Sequence, residues 1–105
     1  MAVFRIEKSK NYTVMSNHHL KNSELSLRAK GLLSLMLSLP DKQDYTLPEL
    51  ANMNRESRDA IRSAVRELEH AGYIERRQTK DQHGRFSKNE YDVHGVPVQM
   101  KGMLL

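Results

Sequence analysis

A chain of 105 residues is long enough for one domain with a buried core and too short for two. With 29% charged and 38% hydrophobic residues it reads as globular rather than disordered, and the absence of cysteine excludes disulfides, thiolate metal sites and a cysteine nucleophile. The net charge of +4 suits an anionic partner, and the basic residues crowd between Arg55 and Lys88.

The opening MAVFRIEKSK has no apolar signal core. The longest apolar run, around residues 32–39, is interrupted by Ser34 and Ser38 and stopped by Pro40, well short of a membrane span. A cytoplasmic protein of bacterial or phage origin is expected.

Residues 1–15 alternate as a short β-hairpin would, with Val3, Phe4 and Ile6 before the polar run Lys8, Ser9, Lys10, Asn11 and with Tyr12, Thr13, Val14 and Met15 after it. A two-stranded hairpin is marginal in water, so Phe4, Ile6, Tyr12 and Val14 need cover, which a two-fold partner supplies. Ser16 is placed to cap a single helical turn over residues 17–20. Ser26 is a cap for a helix over 27–39, whose leucines and methionine cover most of its circumference, as in a helix central to a core or shared with a partner. Within it Gly31 is read as permitting close backbone approach. A loop over 40–44 follows, then a short strand at Tyr45.

Thr46, Leu47, Pro48 and Glu49 form a capping-box pattern with proline in the first turn. The short helix they start ends at a turn through Asn54, Arg55 and Glu56. Ser57 caps a longer helix that Gly72 terminates, and Ile61, Ala64, Val65 and Leu68 recur at helical spacing between them. At about 100° per residue, Arg55, Arg58, Arg62 and Arg66 fall on a separate stripe roughly 80° wide. Such a helix packs by one side and offers guanidinium groups from another, which suits an anionic groove. The same residues would also serve an ordinary surface helix whose arginines pair with Glu56, Asp59, Glu67 and Glu69. Residues 73–79 read as a strand, 81–85 as a turn with Gly84 available for positive φ, and 86–94 as the returning strand.

The run from Ser57 through Gly72, Tyr73, Ile74 and Arg77 resembles the recognition helix and first wing strand of winged helix-turn-helix proteins. Over residues 3–94 the course is similar to the N-terminal winged-helix domains of DnaD-like proteins and of phage and plasmid replication initiators. Tyr12 to Asn17, Leu27 to Leu33, Asp44 to Leu47, the helix itself and Asp81 to Phe86 carry that likeness. The resemblance implies an α+β, mainly α, winged helix-turn-helix with an N-terminal β-hairpin. It further implies contact with double-stranded DNA, self-association through the N-terminal strands, and a setting among replication proteins such as a helicase or its loader. The segment 57–74 alone also looks like GntR-type and MarR-type regulators. The expected organisation is a dimerising hairpin extension over 1–20, a DNA-binding unit over 21–95 and an apolar tail over 96–105.

On this reading Arg58 and Arg62 are the candidates for base edges, because a guanidinium can donate to both guanine acceptors. Arg55, Ser57 and Arg66 are placed for phosphate, with Thr46 and Asn54 offering further backbone contacts from the second helix and the turn. Arg76, Arg77, Lys80, Arg85 and Lys88 are the wing cations; charge protection of an edge strand is the alternative use for them. Adjacent His18 and His19 have no acidic neighbour at zinc-site spacing, so solvent-exposed or turn-stabilising roles are expected for them, and no cofactor or metal. No serine-nucleophile motif, phosphate-cradling glycine loop or paired-carboxylate site occurs, so no enzyme is expected. A small transcription regulator and a winged helix used only for protein assembly remain as alternatives.

Overall fold

The computed structural model describes residues 2–5, 12–39, 45–80, 82–84 and 86–98, without the side chains of 78–80 and 86–89. Among the described residues, four helices precede one antiparallel hairpin: α1 (His18–Lys21), α2 (Leu27–Ser38), α3 (Leu47–Asn52), α4 (Arg58–His70), β1 (Ile74–Lys80) and β2 (Phe86–Val93). The chain is thus mixed α+β and mainly helical. Among the described residues, no helix is long and apolar enough to cross a membrane.

The three longer-range helices each start on a side-chain cap. Ser26 Oγ accepts from Ala29 N, Thr46 Oγ1 from Glu49 N and Ser57 Oγ from Ala60 N, each satisfying one donor that the first turn leaves orphaned. At the other end of α4, Gly72 adopts φ 91°, while its N–H donates to Glu69 O at 3.1 Å and that of Tyr73 to Leu68 O at 2.9 Å. These paired bonds make a Schellman motif, and its accompanying apolar contact is available because Tyr73 and Leu68 are both fully buried.

The core lies where α2, α3, α4 and the base of the hairpin meet. Ala29, Leu32 and Leu33 come from α2, Leu50 and Ala51 from α3, Ile61, Ala64 and Leu68 from α4, with Leu25, Tyr73 and Ile74 completing it. One carboxylate fastens this packing from outside: Glu67 on α4 accepts from the Ser26 backbone N–H and, at 2.8 Å, from its hydroxyl. A negative group is thereby set at the N-terminus of α2, where the helix dipole favours it.

The hairpin pairs Ile74 with Val93, Glu75 with Asp92, Arg76 with Tyr91 and Arg77 with Glu90, and a β-bulge interrupts the register between Thr79 and Lys80. Gly84 in the connecting turn takes φ 78°. After β2 the chain returns to the corner below α4: His94 N donates to Tyr73 O at 2.8 Å and Val98 N to Gly72 O at 3.0 Å. Pro97 is buried there, so the start of the expected 96–105 tail packs on the domain; residues 99–105 lie outside the described residues.

Four expectations need correction. Residues 2–5 and 12–16 carry no strand, and Phe4, Tyr12 and Val14 are 91%, 80% and 87% exposed. The alternation is there, but nothing among the described residues covers it; Ile6 and the turn through 11 lie outside the described residues. Tyr45 forms no strand either, being half-buried against the core with no strand pairing there. Gly31 is exposed, and a Cβ built on it meets nothing within 4 Å, so it permits no close approach inside the chain. The fourth concerns the histidines.

His19 is fully buried rather than exposed. Ser34 Oγ donates its one proton to Lys30 O at 2.8 Å, so the 2.8 Å contact between Ser34 Oγ and His19 Nε2 requires the imidazole to donate. That fixes the Nε2–H tautomer and leaves Nδ1 as a buried acceptor with no partner among the described residues. Its neighbour His18 lies at 2.6 Å from the Tyr73 hydroxyl, to which the Asn22 side-chain amide also donates at 3.2 Å. Both imidazoles meet the Tyr73 ring edge-on. α1 is therefore part of the core, not of a separate extension over 1–20.

Two outcomes follow. Gly31→Ala supplies a helix-forming residue without a clash, so it should raise stability by about 0.5–1 kcal/mol in a denaturant titration. Burial first, and then the nearby charges of His18 and Lys30, hold the His19 pKa below its ordinary 6.5. The unfolded chain therefore binds this proton more readily, and the stability contributed by neutral His19 is complete above about pH 6.5 and lost as pH falls through the lower folded value. Urea midpoints taken between about pH 8 and pH 5 should decline on the acid side, and His19→Gln should flatten that decline.

Candidate nucleic-acid interface

α3 and α4 are joined by the turn 53–57, which is closed by short local bonds. Met53 N donates to Glu49 O at 3.0 Å, Asn54 N to Ala51 O at 3.2 Å, and the Asn54 side-chain amide to Leu50 O at 2.7 Å. Asn54 is thus half-buried, with one amide N–H closing the end of α3 and the second N–H and the side-chain carbonyl left over from that bond. Thr46 and Ser57 are exposed, and each hydroxyl accepts one backbone N–H while keeping its own proton to donate outward.

Beyond the turn, α4 is divided lengthwise. Ile61, Ala64 and Leu68 are buried, while Arg58, Arg62 and Arg66 are exposed on the other side, with Arg55 exposed in the turn ahead of them. Arg62 Nη1 lies 2.8 Å from Asp59 Oδ1, one helical turn back, and that carboxylate is itself 91% exposed. Arg55, Arg58 and Arg66 have no carboxylate within ion-pair distance among the described residues. The arginine stripe is therefore present, largely unneutralised, and backed by a packed face that holds its direction. Glu67, expected as one of its counter-ions, is instead committed to Ser26 at the far side of the helix.

The hairpin sorts its charges by face. Ile74 is buried and Val93 packs on the core, so alternation puts Arg76 and Tyr91 on that same side. Arg76 Nε there stands 3.8 Å from Glu69 Oε2 of α4. Arg77 points the other way, into an acidic row. Its guanidinium makes a forked contact with Asp92, Nε to Oδ2 at 2.9 Å and Nη2 to Oδ1 at 3.1 Å, and reaches Glu90 at 3.3 Å. On that outer face His94 Nε2 also lies 2.9 Å from Glu75 Oε1. Arg76 and Arg77, grouped together by the sequence, are thus set apart: one lies beside α4, and the other is held by two carboxylates facing away from it. Lys80 and Lys88 lie on the two strands, but their side chains, and Arg85 altogether, fall outside the described residues.

The period of the returning strand puts Tyr91 on one face with Val93, and Tyr91 is half-exposed there, directly across from Arg76. Among the described residues, no cluster of three or more acidic, histidine or cysteine side chains is placed to hold a metal ion. Comparison of the chain with protein-family models, with curated proteins and with solved structures gives no match.

Proposed function

We propose that the chain is a winged helix-turn-helix domain that binds double-stranded DNA, with α3 and α4 as the helix-turn-helix pair and the β1–β2 hairpin as the wing. One observation carries this reading: α4 is fixed along its length by a buried face and, with the turn ahead of it, presents Arg55, Arg58 and Arg66 outward with no carboxylate within ion-pair distance among the described residues. An amphipathic helix serving only solubility has its charges balanced by near neighbours. The capped short helix and tight turn ahead of α4 support the same reading, because they leave the N-terminal half of α4 free to enter a major groove. Arg58 and Arg62 are its base-reading residues, while Arg55, Arg66, Ser57, Thr46 and Arg76 serve the phosphates. The resemblance read from the sequence supports a role in replication initiation or replisome organisation, with a small transcription regulator as the alternative.

The exposed Phe4, Tyr12 and Val14 support a homodimer, since so much aromatic and branched surface on one short segment lowers its free energy by meeting a copy of itself. Sedimentation of the intact chain should show a dimer at micromolar concentration, and removal of residues 1–15 should yield a monomer. A chain that sediments as a monomer throughout the micromolar range ends this part of the proposal.

Duplex binding is tested by band shift at several salt concentrations. Arg58→Ala or Arg62→Ala should weaken specific binding by about 1–3 kcal/mol and narrow the gap between the best site and random duplex. Arg76→Ala should weaken binding to all sequences alike and flatten the salt slope by about 0.9. Arg77→Ala should leave affinity unchanged, because Glu90 and Asp92 already hold its charge on the other face. A double Arg58, Arg62 variant that folds and still binds as the parent does would falsify the assignment of α4.

A further inference from the structure

A groove of about 320 Å³ lies between α2 and the turn that leads into α4. Leu32 and Ile61, both nearly fully buried, close its floor, and Arg28, Arg55 and Glu56 stand around it. Gly31 forms part of its wall. This glycine sits mid-helix and in the open; among the described residues, a Cβ on it would touch nothing within 4 Å. Packing among the described residues therefore gives no reason for a glycine here, whereas a side chain at this position would take up space beside the groove. The charges indicate what kind of body. Two guanidinium groups face one carboxylate, and Arg55 has no counter-ion among the described residues. Arg28 is held by Glu56 at a loose 3.6 Å, with both side chains substantially exposed. Such a pair is weak in water and yields readily to a stronger anion.

We propose that this groove seats a backbone phosphodiester of the DNA strand running past the N-terminus of α4, with Arg28 and Arg55 as its donors and Gly31 as the gap that admits it. The proposal rests on the DNA-binding reading and adds a contact from α2, an element that reading leaves out of the interface. In the free protein Arg28 Nε stands 3.6 Å from Glu56 Oε2 at the rim of the groove. On binding, the phosphate takes the guanidinium from Glu56, exchanging a monodentate contact for a charge-assisted one with room for two parallel hydrogen bonds. Because the ligand is backbone, the groove contributes affinity and register without sequence preference.

The experiment compares the intact chain with three variants on a selected site and on random duplex, across a salt series, with thermal melts alongside. Arg28→Gln should weaken binding to both DNAs by a similar factor and flatten the salt slope by about 0.9. Gly31→Leu, a good helix former that fills the opening, should weaken binding by about tenfold or more on both DNAs while the melting temperature holds or rises. Glu56→Gln should tighten binding. If Gly31→Leu and Arg28→Gln bind like the parent while the Arg58 and Arg62 variants lose binding, the groove proposal is overturned and the DNA reading stands. If the parent chain binds no duplex at all, both fall together.

Discussion

The position of the hairpin, and with it the shape of the whole candidate surface, depends on how the chain leaves α4 at Gly72 and Tyr73. The Tyr73 N–H closes the last turn of α4 on Leu68, and its carbonyl accepts from His94 at the end of β2. Its ring and hydroxyl are sealed inside against His18, His19 and Asn22. One residue thus joins the first helix, the last helix and both ends of the hairpin. Gly72 makes this possible, because φ 91° at that step is a conformation that a side chain resists. Its carbonyl is then taken by Val98, so the corner is tied from the outside as well. A domain of this size has little core to spare, and concentrating these connections on one buried residue fixes the orientation of a two-stranded sheet that lacks stability of its own.

What was legible in the sequence is mostly what is local. Ser26, Thr46 and Ser57 cap the helices they were expected to cap, and Gly72 and Gly84 take the positive φ that only glycine adopts cheaply. Each of these depends on residues within one turn. The stripe of arginines was readable for the same reason, as it follows from helical period alone. The contacts that could not be read join distant segments: Glu67 to Ser26 across 41 positions, and Tyr73 to His18 across 55. His19 was misread because two neighbouring histidines give no periodic signal; burial of one depends on Ser34 and Lys30 arriving from another helix. Gly31 was misread in the opposite sense, since a glycine in a leucine-rich helix suggests packing that does not exist. The N-terminal alternation failed as a guide because a pattern of two is only half of a strand. The other half is something to lie against.

The electrostatics are arranged more finely than a net charge of +4 suggests. Acidic residues near the cationic surface are each matched to one arginine: Glu56 with Arg28, Asp59 with Arg62, Glu69 with Arg76. All three pairs are exposed, and such pairs hold a long side chain in place at little energetic cost to exchange. The excess acid gathers on the outer face of the hairpin, where Glu75, Glu90 and Asp92 surround Arg77 and His94. Among the described side chains, the arginines without a carboxylate partner thus lie on the α4 side, and the acidic cluster lies on the outer face of the hairpin.

The bulge between Thr79 and Lys80 divides the hairpin into two parts with different masters. Below it, the ladder from Ile74 and Val93 outward is bound to the core and to the corner at Tyr73, and its register cannot slip without exposing Ile74. Above it, the added residue bends the ribbon and raises its twist, so the tip takes its direction from the bulge rather than from the core. A change in the connecting turn therefore leaves the register of the base in place, because that register is held by Ile74 and Val93 against the core.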